Sequence, residues 1–108
     1  MDAEIKARWL EALRSGRYKQ GKYRLRTHDD QFCCLGVLCD LVEPERWIPA
    51  EDGGEPVYAH GHSHFIGFPA LDMLGGGGLS SGTASTLIKL NDAGASFPEI
   101  ADYIEANL

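Results

Sequence analysis

Apolar residues in the opening segment AEIKARWLEALRSG fall at Ile5, Trp9, Leu10 and Leu13, at spacings of three and four, with charges on the opposite side. That period predicts an amphipathic helix, with Asp2 placed to cap its start and Gly16 to end it in the left-handed conformation. Trp9 reads as a core anchor. The period then shortens: in KYRLRT, Tyr23, Leu25 and Thr27 alternate with Arg24 and Arg26, the rhythm of a half-exposed strand. His28-Asp29-Asp30 reads as a turn and QFCC as a returning strand. A β-hairpin over 22–34 is the expectation, its arginines leaving one face while Leu25 enters the core.

LGVLCDLV restores the helical period, with Leu35, Leu38, Cys39 and Val42 at i, i+3, i+4 and i+7, until Pro44 stops it. Gly36 in this helix suits the close approach of another element. Residues 43–82 are irregular and rich in Gly and Pro; PVYAH and SHFIG suit short strands, FPALDML a short helix and LGGGGLSSG a loop. Two helices close the pattern. TASTLIKLNDAG presents Leu87, Ile88 and Leu90 and ends on Gly94. SFPEIADYIEANL opens on a capping box of Ser96 and Glu99, with Pro98 in the first turn and Ile100 and Ile104 facing inward beside Phe97. The pattern predicts one α+β domain over 1–108: a small antiparallel sheet packed with an N-terminal helix and a C-terminal helical hairpin.

Composition narrows the class. A chain of 108 residues suits a single domain. No apolar run approaches the roughly 20 residues that span a bilayer, and MDAEIKARW lacks the apolar core of a secretory signal. A cytoplasmic protein without membrane contact is expected. The three cysteines, Cys33, Cys34 and Cys39, crowd one segment; an odd, clustered set favours reduced thiols over a disulfide framework. Cys39 belongs to the apolar stripe as a small hydrophobe. Cys34, near a helix start, has a second reading as the nucleophile of a thiol hydrolase, with His60, His62 or His64 as base and Asn91 or Asp92 as orienter. The alternating histidines would share one face of a strand, but no cysteine or carboxylate stands at a convincing ligand spacing, so no metal is assigned. The glycine run lacks the lysine of a P-loop, and no cofactor is assigned.

The net charge of −6 conceals a division of the chain. Residues 1–28 carry Lys6, Arg8, Arg14, Arg17, Lys19, Lys22, Arg24 and Arg26 against Asp2, Glu4 and Glu11, a net of +5. The remainder carries only Arg46 and Lys89 against 13 acids, a net of −11. An acidic body repels long nucleic acid. LNDAGASFPEIADYI looks like the first two helices of a helix-turn-helix, yet no recognition helix follows and its surroundings are acidic, so DNA reading is not expected. The basic segment has two readings. Its cations either balance a neighbouring acidic surface or form a compact site for a small, nucleotide-like anion. On the second reading Arg17, Arg24 and Arg26 hold phosphates, Tyr18 stacks, and Gln20 and Asn91 read polar edges. The acidic remainder suggests an alternative, a protein-binding inhibitor. A second copy of the chain would close a shallow pocket, which makes a homo-oligomer plausible.

WLEALRSGRYKQGKYRLR, FCCLGVLCDL and LNDAGASFPEIADYIE together resemble a group of small proteins encoded by tailed bacteriophages. The FCCLGVLCDL and Leu-Asn-Asp blocks carry the resemblance most specifically, and residues 44–82 depart from it. It implies a phage origin and a host bacterial cytoplasm. Small accessory phage proteins often counter bacterial defences, some by sequestering nucleotide signals. By that analogy the expected role is capture of such a signal or, alternatively, inhibition of a host defence protein.

Overall fold

In the computed structural model, which describes residues 3–42, 44, 47–48, 57–58 and 81–108, the first helix α1 runs Ala3–Ser15. It buries Trp9, Ala12 and Leu13, the predicted stripe, and ends where Gly16 turns to a φ of 77°. The strand β1 (Lys19–Gln20) pairs in parallel with β2 (Gln31–Phe32), and helix α2 (Cys34–Val42) follows at once. A second pair, β3 (Trp47–Ile48) and β4 (Val57–Tyr58), is antiparallel. Helices α3 (Ser81–Asp92) and α4 (Phe97–Asn107) form the closing hairpin. The fold is α+β, with α1 packed on both α4 and α2, and α2 also packed on α3.

The core follows from these contacts. Trp9, Leu13, Leu25, Leu35, Leu38, Leu87, Ile100 and Ile104 are fully buried. Trp9 also donates its indole N–H to the Cys34 carbonyl at 2.9 Å, so the anchor of α1 is tied to the first turn of α2. Burial of a side chain of this size contributes on the order of 2–3 kcal/mol. Cys33 caps α2: its sulfur accepts from the Gly36 N–H at 3.4 Å, while its carbonyl accepts from Val37 at 3.0 Å. Gly36 has the steric role expected of it. A Cβ there would lie 1.8 Å from the Leu25 carbonyl oxygen, so only glycine lets the Leu25 backbone cross this face of α2.

The predicted hairpin is reduced to a reversal. Thr27 N–H donates to the Gln31 carbonyl and Asp30 N–H to that of Thr27, enclosing the expected His28–Asp30 turn. A single antiparallel bridge joins Arg26 to Phe32. Before it the strand alternation fails. Tyr23 adopts a φ of 68°, stands 62% exposed instead of facing the core, and donates its N–H to Asp92 at 2.9 Å. Leu25 enters the core as expected because its carbonyl is held by Cys33 N–H, at 3.2 Å, and packed against Gly36.

At the other end α3 begins two residues before the expected Thr83, taking in Ser81 and Gly82 from the predicted loop. It closes through Gly94, φ 104°, and Ser96 caps α4 with the capping box formed in both directions. Ser96 holds the Glu99 carboxyl below its ordinary pKa by hydrogen bonding. The Asp2 cap, the SHFIG strand, the FPALDML helix and the triad His60, His62 and His64 lie outside the described residues.

Candidate ligand-binding cleft

The basic segment serves partly as structural glue. Arg14 reaches from α1 to α4, 2.8 Å from Asp102 and 3.4 Å from Glu105, and these hydrogen bonds hold its pKa above the usual guanidinium value. Lys6 donates to the Glu105 carbonyl at 3.4 Å, and Arg8 to the Leu41 carbonyl in the last turn of α2 at 3.1 Å. The acidic C-terminal helix is thus met by cations of α1, as the first of the two charge readings expects.

The rest of the segment divides into two places. In one, Gln20 donates to Asn91 Oδ1 at 3.0 Å and to the Ala95 carbonyl at 2.8 Å, and accepts from the Phe97 N–H at 3.2 Å. That last bond satisfies an orphan N–H at the start of α4. Asn91, 0% exposed, donates to the Gly21 carbonyl at 2.8 Å. Gln20 and Asn91, expected to read the polar edges of a ligand, instead form an internal clasp that fastens β1 to the α3–α4 corner. Their amides are committed to protein partners because both stand where helix ends and a turn leave backbone groups to satisfy. Arg24, expected beside Arg26, donates to the Tyr23 carbonyl at 3.0 Å and does not line the cleft; the left-handed Tyr23 breaks the alternation that would have aligned the two.

In the other place Arg17, Tyr18 and Arg26 do converge. They line an open cleft of about 430 Å³ between the end of α1, the two short strands and α2. Lys19 adds a further cation, Phe32 an apolar wall, and Asp30 and Asp40 two carboxylates. The volume falls within the range of small-molecule sites. Arg17 is exposed, held by Ser15 Oγ at 3.2 Å and only loosely by Glu11 at 3.8 Å. Arg26 donates through Nε and Nη2 to Asp30 Oδ1, at 2.9 and 2.8 Å, and its guanidinium lies 5.3 Å from both the Phe32 and Trp47 ring centres. Tyr18 stands edge-on to Phe32, with ring centres 5.1 Å apart. Its hydroxyl donates to Asp40 Oδ2 at 2.7 Å, and Trp47 donates to the other oxygen at 3.1 Å. Burial, reinforced by the Asp40 hydrogen bond, pushes the Tyr18 pKa up to about 12.

Lys19, Asp30, Phe32 and Asp40 were not singled out from sequence. Asp40 had a signal: it is the sole acid in the apolar helix LGVLCDLV. Lys19 stands two residues from Arg17, the spacing that puts two side chains on one side of an extended segment.

The cysteines belong to the core. Cys34 does open α2, but it is 0% exposed and its thiol faces the Leu87 carbonyl at 3.6 Å. Burial raises its pKa well above the ordinary thiol value, which opposes the thiolate that a nucleophile needs. Cys33 rises to about 11 for the same reason, and Cys39 also rises. The helix start that would favour a thiolate is thus outweighed by desolvation. Among the described residues no group of His, Cys, Asp and Glu is arranged to hold a metal ion, and no helix is long and apolar enough to cross a membrane.

Fold and cleft define a small α+β domain with an open, mixed-charge, aromatic-walled site. The domain of unknown function DUF8296 matches residues 1–66, and the chain belongs to that family. The matched span includes every cleft residue named above, whereas Asn91 and the α3–α4 corner lie beyond it. Neither the curated proteins nor the solved structures hold a match to the chain.

Proposed function

We propose that the protein is a non-enzymatic binding protein that captures a small anionic, nucleotide-derived ligand in the cleft beside β1. What carries this reading is the convergence of Arg17, Lys19 and Arg26 on one open cavity whose wall includes the rings of Tyr18 and Phe32. The exposed Arg17 guanidinium and Lys19 ammonium supply donors for phosphate oxygens, with Arg26, held by Asp30, behind them. The half-buried Tyr18 ring on the cleft wall supplies an aromatic contact for the base. In the setting that the sequence resemblance suggests, the protein is a phage accessory factor that sequesters a nucleotide signal of host defence in the bacterial cytoplasm.

Calorimetric titration with a panel of mononucleotides, cyclic dinucleotides and ADP-ribose-type compounds tests the reading. Heat of binding from at least one class is expected, and it should disappear in the Arg17→Ala/Lys19→Ala double variant while the melting temperature stays unchanged. Silence across the panel from folded protein would overturn the proposal.

A further inference from the structure

The polar groups of the cleft divide by what they can offer a ligand. The Tyr18 hydroxyl donates its one proton to Asp40 Oδ2, and the Trp47 N–H is given to Asp40 Oδ1. A phenol carries one proton and two lone pairs, so a hydroxyl that donates inward presents only lone pairs outward. With its pKa raised to about 12, Tyr18 keeps that proton at neutral pH. The carboxylates of Asp30 and Asp40 likewise only accept, whereas Arg17 and Lys19 only donate. One set of groups calls for an anion and the other for an N–H donor on the same ligand.

We propose that the cleft selects nucleotides whose base carries an exocyclic amino group, the –NH₂ donating to the Tyr18 hydroxyl oxygen while Arg17 and Lys19 hold the phosphate. Asp40 is then a positioning residue, fixing the hydroxyl as an acceptor. An amine of this kind also complements the nearby carboxylates, whereas a ring edge made only of acceptors meets lone pairs without a partner. The inference rests on the nucleotide-binding reading above and specifies which bases fit.

A matched pair of ligands tests it: adenosine 5′-monophosphate and its analogue lacking only the amino group, purine riboside 5′-monophosphate. In a water-exposed cleft one such hydrogen bond is worth about tenfold in affinity. Calorimetry on the wild-type protein should find the amino compound about tenfold tighter. In Tyr18→Phe that preference should shrink to within about twofold, an outcome that simple loss of packing, which weakens both nucleotides alike, would not produce. Asp40→Asn provides a second route, because an amide that donates to Tyr18 frees the hydroxyl proton to turn outward; the preference should again collapse. Equal binding of the two nucleotides by wild-type protein, or an undiminished preference in Tyr18→Phe, would overturn the selection and leave nucleotide binding standing. Heat from neither nucleotide would overturn it as well, and the broader reading falls only if the whole panel is silent.

Discussion

The clasp at the α3–α4 corner and the cleft beside α1 share the backbone around Tyr18–Gln20, yet they are built on opposite terms. In the clasp the Gln20 and Asn91 amides bond to each other, to the Gly21 and Ala95 carbonyls and to the Phe97 N–H, and Asn91 is sealed from water. In the cleft Arg17 and Lys19 are exposed, and the ion pair from Arg17 to Glu11 is a long 3.8 Å. Polar groups with every partner inside the protein hold the fold, since breaking them strands buried donors and acceptors. Polar groups held loosely at the rim contribute little to stability and remain available to a ligand. Proximity along the chain says nothing of which role a residue takes. Tyr18 and Gln20, two positions apart, belong to different sites.

Substitutions can break or sharpen this contrast. The largest loss is expected from Gly36→Ala, because the Leu25 backbone that crosses α2 in the core cannot retreat from a Cβ set at 1.8 Å. Chemical denaturation should show a loss of about 3 kcal/mol or more. Asn91→Ala strikes the clasp alone. It strands the Gly21 carbonyl and one Gln20 donor, and the same measurement should record a loss of about 2 kcal/mol. Arg14→Ala, which removes the exposed ties to Asp102 and Glu105, should cost much less than Asn91→Ala, and less still in high salt. On the cleft side, Arg17→Ala should change stability by less than about 0.5 kcal/mol while weakening nucleotide binding. A clasp variant that abolished binding at full stability would reverse the assignment.

Titration sharpens the comparison further. The Tyr18 hydroxyl, with a folded pKa of about 12 against an ordinary value of 10.0, favours the folded state most below pH 10. The unfolded chain ionises first as pH rises, so this contribution fades between pH 10 and pH 12. Ultraviolet titration of the folded protein should show a late-ionising tyrosine that is missing from Tyr18→Phe. Glu99 has the opposite sign: its depressed pKa favours the fold above the ordinary carboxyl range, and that contribution fades as pH falls through it.

The helices were legible because their causes are local. Ile5, Trp9 and Leu13 share a face, Ser96 and Glu99 sit three apart, and Gly16 and Gly94 occupy the left-handed positions that end helices. The 22–34 hairpin was legible only in its turn and its inward Leu25, because the rest of its conformation is set from a distance. Tyr23 turns left-handed where its N–H meets Asp92, and Leu25 is pinned by Cys33 and Gly36. No alternation of apolar and polar residues encodes those contacts. The candidate site was half legible for the same reason. Arg17, Tyr18 and Arg26 were found as a concentration of charge and ring, whereas Gln20 and Asn91 look equally polar on paper and differ only in what the fold sets against them. Cys34 repeats the lesson: its place at a helix start was foreseen, and burial decides between its two readings in favour of core.

The direct test of the central claim is an amide shift titration of isotopically labelled protein with adenosine 5′-monophosphate, observing backbone and side-chain N–H groups together. Dose-dependent shifts should concentrate at Arg17, Tyr18, Lys19, Phe32 and Asp40, with the side-chain amides of Gln20 and Asn91 standing still. Shifts centred on those two amides, or a spectrum left untouched by this nucleotide and by every other member of the calorimetric panel, would contradict it.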